Sequence, residues 1–321
     1  MVRQLVAAAL GMALAHGAAA QATYPTRTIT MVVGFAPGGG TDTVARIVAQ
    51  KVGASVGHSV VVENKPGAGG NVATGDVARS APDGYTILLG SVGSLAVAPH
   101  LIAKLPYDPL RDLAPITMAV VFANVLVVQP SLPANTLAEF VKLAKEKPGT
   151  ITYGSSGIGG AGHLAGELLK IMAQIDIVHV PYKGGGPAMR GMLGGEIQAI
   201  FATPVSSGAQ IKAGKVRAIA TTGATRSAYL PDVPTIAESG YPGYEATNWY
   251  AYMAPAGTPK EIVARLHREL VQALTAPDVR GQLDKQGIEA MPGTPEELAK
   301  YIEREHATWG RVVKEAKIQA N

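Results

Sequence analysis

The residues in this chain whose types and spacing can do chemistry lie in two glycine-rich turns, Phe35-Ala-Pro-Gly-Gly-Gly-Thr-Asp42 and Tyr153-Gly-Ser-Ser-Gly-Ile-Gly-Gly-Ala-Gly-His163. Each follows a short β-like run and opens an apolar helical pattern. A strand that stops at glycines and turns into a helix leaves backbone N–H groups unpaired at the helix start, where the positive end of the helix dipole also faces outward. The chemistry offered is therefore anion binding by backbone. In the first turn, after Phe35, the N–H groups of Ala36, Gly38, Gly39, Gly40 and Thr41 are expected to face the anion, and Thr41 adds a hydroxyl. Pro37 has no N–H and stiffens the turn. Asp42 suits the first helical turn, where its charge complements the dipole, better than it suits an anion site.

The second turn offers the hydroxyls of Ser155 and Ser156 and the amides of Gly157, Gly159 and Gly160. His163 lies one turn into the helix, where packing and ligand contact are both open. A third turn, Tyr182-Lys-Gly-Gly-Gly186, places Lys183, Gly184 and Gly185 after another strand. Lys183 is either a ligand cation or a solvated loop lysine. Ser91 and Ser94, at and just past the end of the strand from Tyr85, are placed to read the far end of a ligand. Two glycine turns more than a hundred residues apart suggest two lobes gripping one anion.

Other chemistries find little support. The run from Gly157 to Gly162 matches the dinucleotide fingerprint G-x-G-x-x-G, but Asp176, the matching acid, falls at the beginning of its strand rather than the end beside the ribose. No Gly-Lys-Ser/Thr follows any turn, so the phosphate loop is absent. No serine sits in a G-x-S-x-G elbow, and there is no H-E-x-x-H. His163 with Glu167, and Glu303 with His306, share helix faces, but two residues do not make a metal site. With no cysteine in 321 residues, disulfides, thiolate nucleophiles and thiolate metal sites are excluded. We therefore expect no catalytic residue, no metal and no cofactor. A hydrolase using Ser155 or Ser156 with a distant histidine is the alternative from another class.

The elements that position these turns alternate. Ile29–Phe35, Val60–Glu63, Tyr85–Ser91, Met118–Gln129, Ile151–Tyr153, Ile177–Tyr182, Ala199–Thr203 and Val216–Thr222 read as strands. Thr41–Gly53, Gly70–Arg79, Thr136–Glu146, Gly160–Ala173, Gly186–Leu193 and Ser206–Ala213 read as helices. Such alternation implies an α/β protein whose mainly parallel sheets are covered by helices. After a Pro-rich loop, Tyr229–Tyr244, a further β-like run at Thr247–Pro255 leads into three helical stretches. The long Met118–Gln129 run and Thr247–Pro255 read as two crossover strands forming a hinge. Lobe 1 then comprises 22–126 and 247–321, and lobe 2 comprises 127–246. Tyr153, Phe122, Phe201 and Trp249 are candidates for the cleft floor or for the core.

Arg3, the apolar run Leu5–Leu14 and Ala18-Ala19-Ala20 follow the order of a secretory signal peptide over residues 1–21, and the run is too short for a permanent membrane span. Export to the periplasm of a protein that does not itself span the membrane is expected. Lys and Arg number 28 against 24 Asp and Glu, a net charge of +4. The charges are scattered without a basic block, which disfavours nucleic acid as a partner.

Several segments together resemble one family. Tyr24-Pro-Thr-Arg-Thr-Ile-Thr, the Phe35–Arg46 loop, Val61-Val-Glu-Asn-Lys-Pro-Gly-Ala-Gly-Gly-Asn71 and Ala81-Pro-Asp-Gly-Tyr85 come first. Tyr153–Gly157, Val180-Pro-Tyr-Lys-Gly-Gly-Gly-Pro187 and Leu230-Pro-Asp-Val-Pro-Thr-Ile-Ala-Glu-Ser-Gly240 complete the set. This pattern resembles the Bug family, periplasmic receptors of tripartite tricarboxylate transporters, across essentially the whole mature chain. The resemblance implies a two-lobed, type II-like periplasmic-binding fold that closes on a small carboxylate, a di- or tricarboxylate or an aromatic acid, and presents it as a monomer to permease subunits. A sensor receptor serving a signalling partner is the alternative within that class. Relatives often carry an Asp after a Gly-Gly-Glu/Gln-x-x-x-x-Phe run, whereas this chain continues Phe201-Ala202-Thr203. That departure disfavours an amino-acid ligand and makes Thr203 a candidate contact.

Overall fold

The computed structural model describes residues 24–315 and residue 318. The expected signal peptide, 1–21, lies outside the described residues. In chain order come β1 (Ile29–Val33), α1 (Gly40–Val56), β2 (Val60–Asn64), one 3-10 turn (Ala68–Gly70), α2 (Asn71–Ala78), β3 (Thr86–Ser91), a π turn (Gly93–Val97), α3 (Ala98–Leu101) and β4 (Leu113–Ala123). Then follow β5 (Val125–Val128), α4 (Leu137–Glu146), β6 (Thr152–Ser155), α5 (Ala161–Ala173), β7 (Val178–Pro181), α6 (Gly185–Leu193), β8 (Ala199–Ala202), α7 (Pro204–Lys212) and β9 (Arg217–Thr221). β10 (Thr247–Pro255), α8 (Lys260–Thr275), α9 (Pro277–Asp284), β11 (Glu289–Ala290) and α10 (Pro295–Glu315) complete the described chain.

The strands form two sheets, of order β11-β4-β10-β3-β1-β2 and β7-β6-β8-β5-β9, both flanked by helices. The βα units pair in parallel, β1 with β2 and β3, and β6 with β7 and β8. β10 and β5 pair antiparallel with their neighbours. Both sheets are thus mixed where mainly parallel sheets were expected. The reason is geometric: a strand that starts at the crossover must run against strands that end there.

Local chemistry explains the elements. β1, Ile-Thr-Met-Val-Val, is rich in β-branched residues and buried on both faces except at half-buried Thr30, as suits a central parallel strand. α1 repeats Val44, Ala45, Val48, Ala49 and Val52 along one buried stripe. It ends at Gly57, whose left-handed φ of 71° suits a residue without a side chain. A capping box starts α10: Thr294 Oγ1 accepts from the Glu297 N–H at 3.1 Å, and Glu297 returns a carboxylate to the Thr294 N–H at 2.8 Å. α8 and α9 pack against α1 through Leu266, Leu270 and Leu283. α10 buries Leu298, Ile302 and Trp309 in a larger core that joins both sheets.

The sequence reads Met118–Gln129 as one strand, but the structure breaks it at Asn124, so that β4 ends in the first sheet and β5 begins the second. β10 stays wholly within the first sheet. Three chain segments therefore meet at the crossover. The Thr222 hydroxyl ties them together by accepting from the Asn124 N–H and donating to the Ala246 carbonyl, both at 2.9 Å. The Thr222 N–H donates to the Asn124 carbonyl, and the Ala246 N–H to the Thr222 carbonyl, again at 2.9 Å.

Replacing Thr222 by valine keeps the shape but leaves a buried N–H and a buried carbonyl unpaired, at a cost of about 2 kcal/mol. For a chain of this size the expected result is a melting temperature lower by roughly 3 °C. Thermal unfolding followed by circular dichroism checks it, and an unchanged midpoint contradicts the tie.

Candidate functional site

The first glycine turn is built by Asp42. Its buried carboxylate accepts from the Gly38 N–H, the Arg46 Nε and the Asn64 Nδ2, each at 3.0 Å. Asn64 Nδ2 also donates to the Phe35 carbonyl at 2.9 Å. Burial by itself would raise the Asp42 pKa, but the bonds from Arg46, Gly38 and Asn64 win and hold it below the usual carboxylate range. Two amides expected to face a ligand are thereby engaged elsewhere. Gly38 serves Asp42, and Ala36 donates across to the Lys183 carbonyl at 2.9 Å. The open donors are those of Gly39, Gly40 and Thr41 at the start of α1.

The second turn corrects the expectation more sharply. The Gly157 N–H donates to Ser155 Oγ, the Gly160 N–H to the Gly157 carbonyl and the Gly159 N–H to His163 Nδ1, all at 3.1 Å. The turn satisfies itself through these amides, because its tight glycine path folds them back on their own neighbours. Ser155 is fully buried, its hydroxyl 2.7 Å from His179 Nε2. His163 is buried and stacks on His179 with ring centres 4.1 Å apart. Neither Ser155 nor His163 is in the lining of the cavity described below. What remains for a ligand is Ser156 and the start of α5 at Ala161.

At the third turn the Lys183 side chain is exposed, and only its carbonyl acts, as the acceptor for Ala36. Gly184 lies against Ala36, where a Cβ would come within 3.2 Å of the Ala36 nitrogen. Gly185 begins α6, and Thr203 caps α7 by accepting from the Ser206 N–H. Ser94 is buried with its hydroxyl turned back toward the Ser91 carbonyl, and its own carbonyl accepts from Tyr107.

The structure brings Phe35, Gly39, Gly40, Thr41, Ser91, Ser156, Gly185 and Thr203 around one cavity. The starts of α1, α5, α6 and α7 all converge on it, two or more turns of helix behind each. No Lys, Arg, Asp or Glu lines it. Sequence reasoning missed Ala161, Asn248 and Tyr250 in the lining. The signal for the last two was strand alternation in β10: Asn248 and Tyr250 share one face, and Trp249 takes the other. Trp249 is in the core, its Nε1–H donating to Glu305 at 2.9 Å. Tyr153, Phe122 and Phe201 are also buried and absent from this lining. A larger groove of about 1510 Å³ beside the crossover, lined in part by Phe122, Arg280, Glu289 and Trp309, contains none of the glycine turns.

The cavity is narrow. Its volume of about 20 Å³ holds roughly one water, so a dicarboxylate enters only when the two sides part. Across the seam the backbones nearly touch: a Cβ on Gly93 would fall 2.8 Å from the Gly159 carbonyl oxygen. Chemically the site can hold an anion by oriented dipoles and neutral donors. It has no acid or base positioned to transform one. The Ser155–His179 pair lies beneath the turn, and burial first, then neighbouring His163 and Lys170, push the His179 pKa down to about 3. A base that weak is poorly matched to activating a serine near neutral pH.

A family model described as the tripartite tricarboxylate transporter family receptor matches residues 44–318. The chain is 39% identical over 294 residues to protein BugT of Bordetella pertussis, covering 91% of this chain and 90% of that one. The structure of periplasmic binding protein BugD superposes with a TM-score of 0.89 at 36% identity, covering 92% and 99% of the two chains. A Rhodopseudomonas palustris protein, Rpa4515, solved with adipate, gives 0.89 at 37% identity and the same coverage. MatC from Rhodopseudomonas palustris, with bound malate, gives 0.87 at 33% identity, covering 90% and 100%.

Two expectations follow from this geometry. A Gly93→Ala chain should fold normally but resist closure against the Gly159 carbonyl. Overpacking costs about 1–3 kcal/mol, or roughly a fivefold to 150-fold weaker affinity for any acid the wild type binds. Calorimetric titration with that acid checks it, and wild-type affinity shows that the seam does not close this far. The second concerns pH. Burial, against an opposing pull from Glu167, also lowers the His163 pKa. With both rings kept neutral, nothing is lost above the ordinary value of 6.5. As pH falls below it, the unfolded chain takes up protons that the folded chain refuses, and stability declines toward pH 3. Melting curves from pH 7 to pH 4 should therefore fall more steeply for the wild type than for His179→Gln, and equal slopes contradict this account.

Proposed function

Since this chain belongs to the tripartite tricarboxylate transporter receptor family, a family of periplasmic solute-binding receptors, we propose that it binds a small carboxylate and delivers it unchanged to membrane permease subunits. The observation that carries this reading is the convergence of four helix starts on a single cavity lined without a charged side chain. A carboxylate needs several donors at once, and backbone amides and hydroxyls supply them without a buried cation. In this proposal Gly39, Gly40 and Thr41 on one side, with Ser156, Gly185 and Thr203 on the other, hold the carboxylate oxygens. The adipate and malate carried by two structural relatives support a small di-acid as the ligand class.

The proposed mechanism is hinge closure between lobe 1 (22–126 with 247–321) and lobe 2 (127–246). An anion touching both lobes has full contact only when they approach, so it favours the closed state by that difference in affinity. Residues 1–21 would direct export to the periplasm, and a monomer would present its cargo to the permease. Among the described residues no helix is long and apolar enough to cross a membrane, in keeping with a receptor that leaves translocation to its partner.

Thermal unfolding of the mature protein against succinate, malate, citrate, adipate, aromatic acids and acidic amino acids tests the reading. An acid at about 100 times its Kd should add about 2.7 kcal/mol, a rise of several degrees. Its recovery intact identifies a receptor. No rise with any acid overturns the proposal.

A further inference from the structure

The helix starts account for the carboxylate, but two lining residues serve no such purpose. Ser91 and Asn248 both border the cavity and are more than nine-tenths buried. Among the described residues six buried side-chain atoms have no hydrogen-bond partner; Ser91 Oγ and Asn248 Oδ1 are the two on residues that line the cavity, and Asn124 Nδ2 is another. A buried polar atom without a partner is costly, so a position that keeps one next to a cavity is one that a ligand completes.

Asn248 is also held in place. Its Nδ2 donates to Asn124 Oδ1 at 3.3 Å. Asn124 sits at the break between β4 and β5, and Asn248 lies two residues past Ala246 on the returning segment. The amide pair therefore bridges two of the chain crossings that Thr222 ties together. With its NH2 turned to Asn124, the carboxamide leaves Oδ1, an acceptor, unmatched. A carboxylate offers that atom nothing, because it has no proton to donate. An ammonium would donate, but with no Asp or Glu in the lining its charge would be buried without a counterion. A hydroxyl donates to Asn248 Oδ1, can accept from Ser91 Oγ, and brings no charge.

We infer that Asn248 is a specificity-determining residue: its carboxamide, oriented by Asn124 at the crossover, reads a hydroxyl on the carboxylate bound in the cavity. This rests on the receptor reading above and narrows its ligand class to hydroxy acids. Asn124 is a positioning residue in this scheme. It touches no ligand, and acts by fixing which face of the Asn248 amide meets the cavity. Both asparagines fall in lobe 1, so the amide is set before closure and meets the hydroxyl of whatever acid the cavity takes up.

The test is calorimetric titration of wild-type protein with hydroxy acids beside their deoxy counterparts: malate and succinate, citrate and tricarballylate, lactate and propionate, mandelate and phenylacetate. The expected result is that at least one hydroxy acid binds about tenfold or more tightly than its partner. In N248L that ratio should collapse to within about threefold, with the affinity for the deoxy acid largely retained. In N124A, which frees the amide to turn, the ratio should shrink while the deoxy affinity holds. A residue with only a structural role would weaken both members of a pair equally, and that outcome overturns the inference. So does a preference that survives in N248L, or in N248A should N248L fail to fold. Turning both amides over would offer the cavity an NH2 instead, and a wild type that binds acids of the panel but prefers the hydroxy member in none of the four pairs would show it and overturn the inference alone. Silence of the wild type toward all eight acids overturns this inference alone where adipate or another acid of the wider panel still binds, and the receptor reading falls with it only when that whole panel is silent too.

Discussion

The structure depends on one constraint: bare N–H groups at helix starts on two sheets must meet across a gap that only backbone can close. Side chains at the seam would hold the helices apart, and charges there would need partners whenever the cavity is empty. The chain solves both problems with small residues. Gly93 lies against Gly159, Gly184 lies against Ala36, and Gly39 faces Gly185. The attraction for an anion then comes from fixed dipoles that need no counterion of their own. A lysine aimed into the cavity would bind an anion more strongly, but burying it unpaired between visits would carry a desolvation cost. A receptor that releases its cargo, as proposed here, has reason to prefer the weaker, permanent field.

That arrangement needs each turn fixed from behind, because an amide is useful to a ligand only if it does not wander. The first turn is fixed by a charge: Asp42 accepts three hydrogen bonds and in doing so sets the path from Phe35 to the start of α1. The second is fixed by neutral groups, with Ser155 and His163 each accepting an N–H from the turn. The glycine amides nearest the fingerprint-like sequence are thus structural, and the donors proposed for the ligand lie one step further on. β10 joins this machinery to the core. One face of the strand sets Trp249 against Glu305 and the ring of Tyr301, and the other presents Asn248 and Tyr250 to the cavity.

Much of this was legible in the sequence. The glycine turns, their alternation with branched strands and the starts of α1 and α5 are local features, and local features survive into the fold. The convergence of α6 and α7 on the same point was legible only as further glycine and threonine turns after strands. What could not be read was direction. Whether the amides of Gly38 and Gly157 face outward or back depends on Asp42 and Ser155, and no spacing rule encodes that choice. The break at Asn124 was hidden because Val-Leu-Val-Val continues the apolar run on its far side. Only the pairing of β5 with β8 and β9 shows that the strand has changed sheets. Asn248 and Tyr250 escaped notice because the large aromatic between them drew attention to the wrong face.

The buried Ser155–His179 pair shows how the same residues could be mistaken for catalysis. A serine hydroxyl 2.7 Å from an imidazole nitrogen is the spacing of a nucleophile and its base. Catalysis also needs access and a base of suitable strength, and the pair has neither. Ser155 is fully buried, and Glu167, the acid that could orient a histidine, bonds instead to the Tyr153 hydroxyl at 2.8 Å. Burial keeps both imidazoles neutral, and neutrality is what the turn requires, since a protonated His163 Nδ1 could no longer accept the Gly159 N–H. The depressed basicity that disqualifies the pair as an enzyme is the property that lets it hold a binding loop.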